Sequence, residues 1–156
     1  MQSVSSIIAD DLWAIAEGEH GGMPLIVRFR RALSARPDVR AHPELIKVSW
    51  NYRGEFSGLP DPATSAAMSA FEQRLLATME RDAAALLAAV VTYNNGRVWI
   101  FYAGGMSVFG ERLQMLMRDS PLPIEIESES DPEWRFLYQN VLAGVAGWAD
   151  EDLAWR

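Results

Sequence analysis

Two apolar runs on either side of a tight-turn signal form the clearest pattern in the chain. Residues 85–93 and 97–102 are rich in β-branched and aromatic side chains, and Asn94-Asn95-Gly96 separates them. Asn-Gly tolerates the positive φ angles of a type I′ turn, whose twist matches that of paired antiparallel strands. The pattern therefore predicts a β-hairpin. Both strands are apolar on both alternating faces, which predicts a central position in a sheet.

Alternation of apolar and polar residues predicts three strands before this hairpin. The first runs from Asp11 to Glu17 and the second from Pro24 to Arg31, with a turn at residues 20–22 between them. Residues 33–43 are polar and contain two prolines, so they are predicted to form a loop. The third strand spans residues 44–53. One of its faces carries Ile46, Val48, Trp50 and Tyr52, and the other carries Lys47, Ser49, Asn51 and Arg53.

Three segments have the apolar spacing of amphipathic helices. The first helix is predicted to begin at Asp61-Pro62, because proline suits the first helical turn. The second spans Ser107 to Arg118, and the third begins at Asp131-Pro132, where Asp131 can cap it. A short strand at residues 121–128 lies between the last two helices. It alternates between Ile124 and Ile126, predicted to point inward, and Glu125 and Glu127, predicted to point outward.

The predicted order of elements is β-β-β-α-β-β-α-β-α. Without the first hairpin and the last helix, the order β-α-β-β-α-β remains, which is the split βαβ or ferredoxin-like arrangement. The fold class is therefore α+β, with a ferredoxin-like antiparallel sheet extended by an N-terminal β-hairpin and an additional C-terminal helix. Strands 44–53 and 97–102 should be central neighbours, and strand 122–128 should lie beside 44–53. We expect one domain over residues 1–156, with a core at about 10–142 and a tail at 144–156.

Crossover handedness places the two crossover helices on one face of this sheet. Because the central strands are apolar on both faces, something should cover the other face: the third helix, the Trp-bearing tail, a dimer mate or a ligand. An apolar pocket under that cover is the best place for a small-molecule site. The candidate lining residues are Trp50, Tyr52, Trp99 and Tyr102, with Arg97 as an anion anchor.

The charge of the chain restricts the classes of partner. Fourteen Lys and Arg residues against 21 Asp and Glu give a formal net charge of −7. This charge opposes binding to nucleic-acid phosphates and anionic membranes, and it permits a basic protein partner. RNA-recognition domains share the β-α-β-β-α-β order and stack bases on strand aromatics, but the charge disfavours that function here. The acidic edge formed by Glu125, Glu127 and Glu129 is the candidate partner surface.

No motif in the chain predicts catalysis, a cofactor or a metal. The only histidines, His20 and His42, lie beside turn residues, and no Gly-x-Ser-x-Gly elbow is present. The alternating glutamates could present oxygens to Ca²⁺ or Mg²⁺, but they lack EF-hand spacing. Pairing with Lys47 and Arg53 on the neighbouring strand is the simpler explanation. The absence of cysteine excludes disulfides and thiolate metal sites.

The chain is predicted to be cytoplasmic. Its first residues lack the basic region and apolar core of a signal peptide, and no apolar run approaches membrane-spanning length.

Three segments of aromatic and turn residues carry a family resemblance. They are Thr92-x3-Gly96-Arg97-x-Trp99-x-Phe101-Tyr102, Asp131-Pro132-x-Trp134-x3-Tyr138, and Gly58-x-Pro60 with the later Phe71-Glu72-x2-Leu75. Together they resemble a bacterial family known as domain of unknown function 695. The resemblance implies no established activity, so no residue role carries over. The chain departs from the family after Leu142, where the expected closing proline is missing.

Two functional hypotheses follow. The leading one is a non-catalytic binding or regulatory module that associates with a protein partner or a second copy of itself through the sheet or its acidic edge. The alternative is an enzyme or small-molecule-binding protein with an aromatic pocket on the open face of the sheet.

Overall fold

The computed structural model describes residues 1–147, which form one six-stranded antiparallel sheet with helices. The strands are β1 (Trp13–His20), β2 (Met23–Arg30), β3 (Glu44–Asn51), β4 (Ala85–Tyr93), β5 (Gly96–Ala103) and β6 (Ile124–Ser130). The α-helices are α1 (Val4–Asp10), α2 (Pro62–Met79), α3 (Met106–Met117) and α4 (Ala143–Gly147). A 3₁₀ turn at Arg31–Ser34 follows β2, and a π-helical segment at Phe136–Leu142 leads into α4.

The strand order is β1-β2-β4-β5-β3-β6, and every neighbouring pair is antiparallel. The predicted neighbours are confirmed, because β3 pairs with β5 on one side and with β6 on the other. The two edge strands are therefore β1 and β6. The helices and the antiparallel sheet confirm the α+β part of the fold class expected from the sequence.

The central hairpin forms as predicted, with a small change at its turn. Asn94 and Asn95 have φ angles of 44° and 65°, and Tyr93 pairs with Gly96. Positive φ at both central positions is what a type I′ turn requires. The turn is therefore centred on the two asparagines, and Gly96 is the first residue of β5.

The first helical layer covers one face of the sheet with α2 and α3. Helix α2 begins as predicted, because Asp61 accepts a hydrogen bond from the Thr64 N–H at 2.7 Å and Pro62 opens the first turn. This contact lowers the pKa of Asp61. The core of this face consists of Ile46, Val48, Trp50, Met68, Phe71, Leu75, Met79, Leu87, Trp99, Phe101, Phe109 and Leu113, among others. We call this face of the sheet the α2 face.

The opposite face is covered by both ends of the described chain. Residues of α1, the 3₁₀ turn and the C-terminal helix pack there with Leu86, Ile100 and Tyr102. The C-terminal helix is the π-helical segment together with α4. The third predicted helix is thus one of the covers expected from the sequence. Helix α1 was not expected, since its short stretch offers only two buried apolar residues and a Ser3 cap as signals. The part of the predicted tail beyond residue 147 lies outside the described residues.

A β-bulge in β4 explains a buried ion pair. The pairing of β4 with β5 shifts between Leu87 and Ala89, and the Leu87 peptide groups are bonded to side chains. Its carbonyl accepts from Arg30 Nε at 2.9 Å, and its N–H donates to Glu80 Oε2 at 2.7 Å. Arg30 and Glu80 also bond each other at 2.7 and 2.9 Å. Burial raises the pKa of the Glu80 carboxyl, and the charge of Arg30 opposes that effect.

Candidate functional site

A chain of polar contacts runs from the core of the α2 face toward solvent. The fully buried Trp99 donates its indole N–H to Glu72 Oε1 at 2.9 Å. Both oxygens of Glu72 also accept from the Arg28 guanidinium, with Arg28 Nη1 3.2 Å from Oε2. The Arg28 side chain is 29% exposed, against 10% for Glu72. The carboxylate therefore links a buried aromatic residue to a cation that solvent can reach.

Arg97 lies on the same face as Arg28, on the other side of β4. The sheet register pairs Arg28 with Val90 and Arg97 with Thr92, and alternation along β4 puts all four on the α2 face. Arg97 Nε donates to Thr92 Oγ1 at 2.8 Å, and this bond fixes the guanidinium. Burial lowers the pKa of Arg97, and the nearby charge of Arg28 lowers it further. Within residues 1–147, Arg97 forms no ion pair.

The aromatic wall beside Arg97 comes from β3 and the residue after it. Trp50 pairs with Arg97 in the register and makes an edge contact with Phe71 of α2, with ring centroids 5.8 Å apart. Half-buried Tyr52 donates its hydroxyl to the Gly58 carbonyl at 2.9 Å. Burial raises the pKa of Tyr52, and the charge of Arg97 opposes the rise.

Gly58 secures the loop that carries Tyr52 against the central hairpin. Its φ is +82°, and a Cβ at this position would lie 2.8 Å from Met23 Cε and 3.0 Å from Asn94 Cα. The Gly58 carbonyl also accepts from the Asn95 N–H at 2.9 Å. A glycine is required here by both the backbone conformation and the close approach.

The candidate lining residues predicted from the sequence divide between the two faces. Trp50, Tyr52, Arg97 and Trp99 lie together on the α2 face, beneath or beside α2. Tyr102 lies on the opposite face, where it stacks on Trp134 with ring centroids 4.3 Å apart. The first four residues share one neighbourhood, and Tyr102 belongs to another.

The Tyr102 neighbourhood closes the second face. The Tyr102 hydroxyl donates to Asp131 Oδ2 at 2.7 Å and accepts from the Leu137 N–H at 3.2 Å. Burial and the adjacent carboxylate raise the pKa of Tyr102 well above its usual range. Asp131 also accepts from the N–H groups of Arg135 and Phe136. These contacts hold the start of the C-terminal helix on the sheet.

The acidic edge lies on β6, which among the described strands pairs with β3 alone. Glu125, Glu127 and Glu129 are exposed and lie opposite Ser49, Lys47 and Leu45 respectively. None of the three forms an ion pair within residues 1–147. The Lys47 ammonium instead lies 3.9 Å from the centre of the Phe136 ring. Arg53, the other cation expected to neutralise this edge, lies beyond the end of β3.

On its other face, β6 borders an apolar groove against α3. Ile124 is half-buried, and Ile126 is 36% exposed. The groove has a volume of about 410 Å³, and α3 contributes Met106, Leu113 and Met117 to it. Ile126 was predicted to point inward. It faces the groove but remains open, because α3 covers the centre of the sheet more fully than its edge.

The two histidines have no catalytic neighbours among the described residues. His42 is buried and bonds the Ala83 carbonyl through Nε2 at 2.7 Å. The His20 ring makes an edge contact with Tyr93. Residues 1–147 also contain no group of three acidic or histidine side chains arranged to hold a metal ion.

Glu72 and Arg28 were not among the candidate site residues expected from the sequence. The signal for Glu72 is its position within the apolar stripe of α2, four residues after Met68 and three before Leu75. A carboxylate in such a stripe is buried only when it is paired or hydrogen-bonded. Arg28 supplies that pairing from 44 residues away in the chain, a contact that spacing alone does not reveal.

A family model described as "Family of unknown function (DUF695)" matches residues 11–142. The chain belongs to this family. The DUF695 match begins just before β1 and ends with the π-helical segment, so it includes the whole sheet and omits α1 and α4. The resemblance found in the sequence is thereby confirmed. No curated protein and no solved structure matches the chain.

The residues that carry the DUF695 resemblance lie on both faces of the sheet. On the α2 face, Arg97 donates to Thr92 and Trp99 donates to Glu72, while Asp131 and Trp134 contact Tyr102 on the opposite face. Within residues 1–147, no helix combines the length and apolar character that a membrane-spanning segment requires.

Proposed function

We propose that this DUF695 protein is a non-catalytic binding module whose partner adds an extended, basic segment to the open edge of β6. The observation that carries the proposal is the combination of features on this strand. Its outer backbone edge has no neighbouring strand among the described residues, and three unpaired glutamates follow one face. Addition of a strand to an exposed sheet edge is a common mode of peptide recognition.

Charge and shape specify the chemistry of the partner. A strand added beside β6 would present alternate side chains to its two faces. Residues on the glutamate face should be Lys or Arg, since cross-strand pairs of opposite charge are favourable. Residues on the other face should be apolar, since they would extend the groove beside Ile124 and Ile126. The partner segment thus alternates basic and apolar residues.

A second copy of this chain fits the same edge poorly. Two β6 strands related by a two-fold axis perpendicular to the sheet keep their faces, so residues of the same parity lie opposite each other. The odd-numbered residues Glu125, Glu127, Glu129 and Asp131 are all acidic. Such a dimer would set carboxylates against carboxylates, and like charges directly opposite each other destabilise a sheet.

The test uses a fluorescently labelled synthetic peptide that alternates lysine and valine. Fluorescence anisotropy at physiological salt should detect binding to the wild type and not to an alternating glutamate and valine control peptide. The triple charge reversal Glu125→Lys, Glu127→Lys and Glu129→Lys should weaken binding at least about tenfold. The matched control is reversal of three other exposed acids, Glu17, Glu19 and Glu111, and it should bind as the wild type does.

Three results would overturn the proposal. The first is unchanged affinity in the β6 triple variant, and the second is an equal loss in the control variant, which would indicate a general charge effect. The third is a dimer, detected by sedimentation, that dissociates in the β6 variant; a second copy would then be the partner.

We also propose that β3 to β6, with α2 and α3, form a ferredoxin-like split βαβ unit to which β1 and β2 add a hairpin. The order β4-β5-β3-β6 and the antiparallel pairing support this assignment. The position of α2 and α3 on one face supports it as well. An experimental structure in which the two helical crossovers are not right-handed would contradict it.

A further inference from the structure

Arg97 is a half-buried cation of the α2 face that forms no ion pair within residues 1–147. Its Nε is used by Thr92, whereas its two terminal nitrogens have no hydrogen-bond partner within residues 1–147. Arg97 is half-buried, so solvent stabilises its charge only partly. A guanidinium in this condition favours a nearby anion, since burial without an opposite charge penalises the charged form.

Among the described residues, the carboxylate whose charge acts on Arg97 is that of Glu72, and it is already hydrogen-bonded. Glu72 accepts two bonds from Arg28 and one from Trp99. Arg28 pairs with this carboxylate and Arg97 does not, so the two arginines and Glu72 carry a local charge of 2 − 1 = +1. In a chain of net charge −7, a positive site of this kind is a local exception that the global charge does not explain.

Arg97 differs from a free surface arginine, because its side chain is half-buried and hydrogen-bonded. Thr92 fixes the direction of the Arg97 side chain, and Trp50 lies directly across the strand pair. Fixed guanidinium groups bind carboxylates and phosphates through two parallel N–H donors. The Arg97 donors that remain available are the pair of terminal nitrogens.

We propose that Arg97, positioned by Thr92 and flanked by Arg28, binds an oxyanion, namely the carboxylate or phosphate group of a small molecule. This site lies on the α2 face and does not depend on the β6 edge. It gives the small-molecule hypothesis a definite location. On the opposite face, Tyr102 contacts Asp131 and Trp134, and a separate cavity of about 270 Å³ is lined by Phe29, Leu33 and Tyr138, among others.

Titration with inorganic phosphate and with acetate tests the proposal and distinguishes the two chemistries. The probe is the Arg97 Nε–H resonance in a ¹H–¹⁵N NMR spectrum, with sodium chloride of equal ionic strength as the salt control. At least one of the two anions should shift this resonance in a saturable manner that chloride does not reproduce. Saturation by phosphate alone indicates a phosphoryl ligand, and saturation by acetate alone indicates a carboxylate ligand.

Variants decide whether Arg97 itself is responsible. Arg97→Met should weaken binding of the same anion, measured by tryptophan fluorescence, at least about tenfold, as expected for the loss of a charge-assisted hydrogen bond. Arg97→Lys keeps the charge without the planar donor pair, and it should bind with intermediate affinity. Arg81→Met removes one exposed positive charge elsewhere and should bind as the wild type does.

The proposal is overturned if neither anion shifts Arg97 beyond the chloride control. It is also overturned if Arg97→Met and Arg81→Met lose affinity equally, since the effect would then reflect net charge. If the methionine variant does not fold, Arg97→Lys replaces it in the test, because this variant keeps the positive charge. If only the lysine variant folds, wild-type affinity in that variant would contradict the role of the guanidinium.

Discussion

Two arginines of β2, only two residues apart, have opposite surroundings. Arg28 bonds Glu72 within α2, and Arg30 bonds Glu80 at the end of the same helix. Both point to the α2 face, yet the Arg30 side chain is 1% exposed and the Arg28 side chain 29%. Two Arg–Glu pairs between β2 and α2 or its end thus differ in burial. We call the buried Arg30–Glu80 pair the closed pair, and the partly exposed surroundings of Arg28 and Arg97 the open region.

The backbone explains the difference. At the bulge in β4, the Leu87 N–H and carbonyl bond side chains, and Glu80 and Arg30 provide the partners. The Trp13 ring lies over both guanidinium groups, 4.6 Å from that of Arg30 and 5.8 Å from that of Arg28. Within residues 1–147, the side chains of Arg28 and Glu72 bond no peptide group. An ion pair that completes the backbone hydrogen bonding is fixed by folding, whereas one that does not can remain accessible for binding.

The largest expected effect is on the closed pair. Arg30→Ala should lower the free energy of unfolding by about 3–5 kcal/mol, because it leaves the buried Glu80 carboxylate without its cation. Arg28→Ala should cost only about 1 kcal/mol, because this partly exposed pair is screened by solvent and Glu72 keeps Trp99 as a donor. Urea unfolding near neutral pH measures both values. Equal losses would show that the two pairs are not energetically different.

Glu72 can be tested for its contact with the core separately from its contact with Arg28. Glu72→Ala should lower the free energy of unfolding by about 1–3 kcal/mol, because the buried Trp99 indole N–H loses its acceptor. Glu72→Gln keeps an acceptor oxygen while removing the charge, so it should recover most of this loss. Urea unfolding gives the free energies, and hydrogen exchange of the Trp99 indole reports on the contact. An equal loss in both variants would assign the stability to the ion pair with Arg28 instead.

Local patterns in the sequence predict the positions of helices, strands and turns better than they predict which of these elements pack together. The central hairpin, the Asp61-Pro62 helix start and the neighbours of β3 depend on spacing and turn chemistry, and they are confirmed. The hairpin turn is centred one residue earlier than Asn-Gly predicts, on Asn94 and Asn95. Alternation shows which residues share a face. Along β5 it places Trp99 and Tyr102 on opposite faces, so a single pocket lined by both is inconsistent with the pattern itself. Alternation does not show which element covers each face.

The short helix α1 shows a second kind of limit. Only Val4 and Ile7 are buried in it, and two apolar residues give too little periodicity to distinguish a helix from a loop. Its position depends on the apolar face of the sheet that it covers, which is a long-range effect. The contact between Arg28 and Glu72 has the same origin, because the two residues meet only after the sheet and α2 have formed.

The smallest expected effect concerns Tyr52, whose phenol lies beside Arg97 in the open region. Burial raises its pKa above the ordinary value of 10.0, and the charge of Arg97 opposes this. Because the pKa in the folded state exceeds that in the unfolded state, the contribution of Tyr52 to stability is present below pH 10 and is lost as the pH rises through the folded-state pKa. Removing the cation in Arg97→Met should therefore raise the Tyr52 pKa further.

The measurement is an alkaline titration of phenolate absorbance, with Tyr52→Phe used to assign the signal. Tyr138 is the internal control: burial raises its pKa to about 12, and the cation that opposes this is Arg36, not Arg97. Arg97→Met should leave the Tyr138 titration unchanged while that of Tyr52 moves to higher pH. A Tyr52 titration that does not move would mean that solvent screens the Arg97 charge. In that case solvent would neutralise the effect of the Arg97 charge. The region around Arg28 and Arg97 would then not differ from the region around Arg30 in having a charge without a partner.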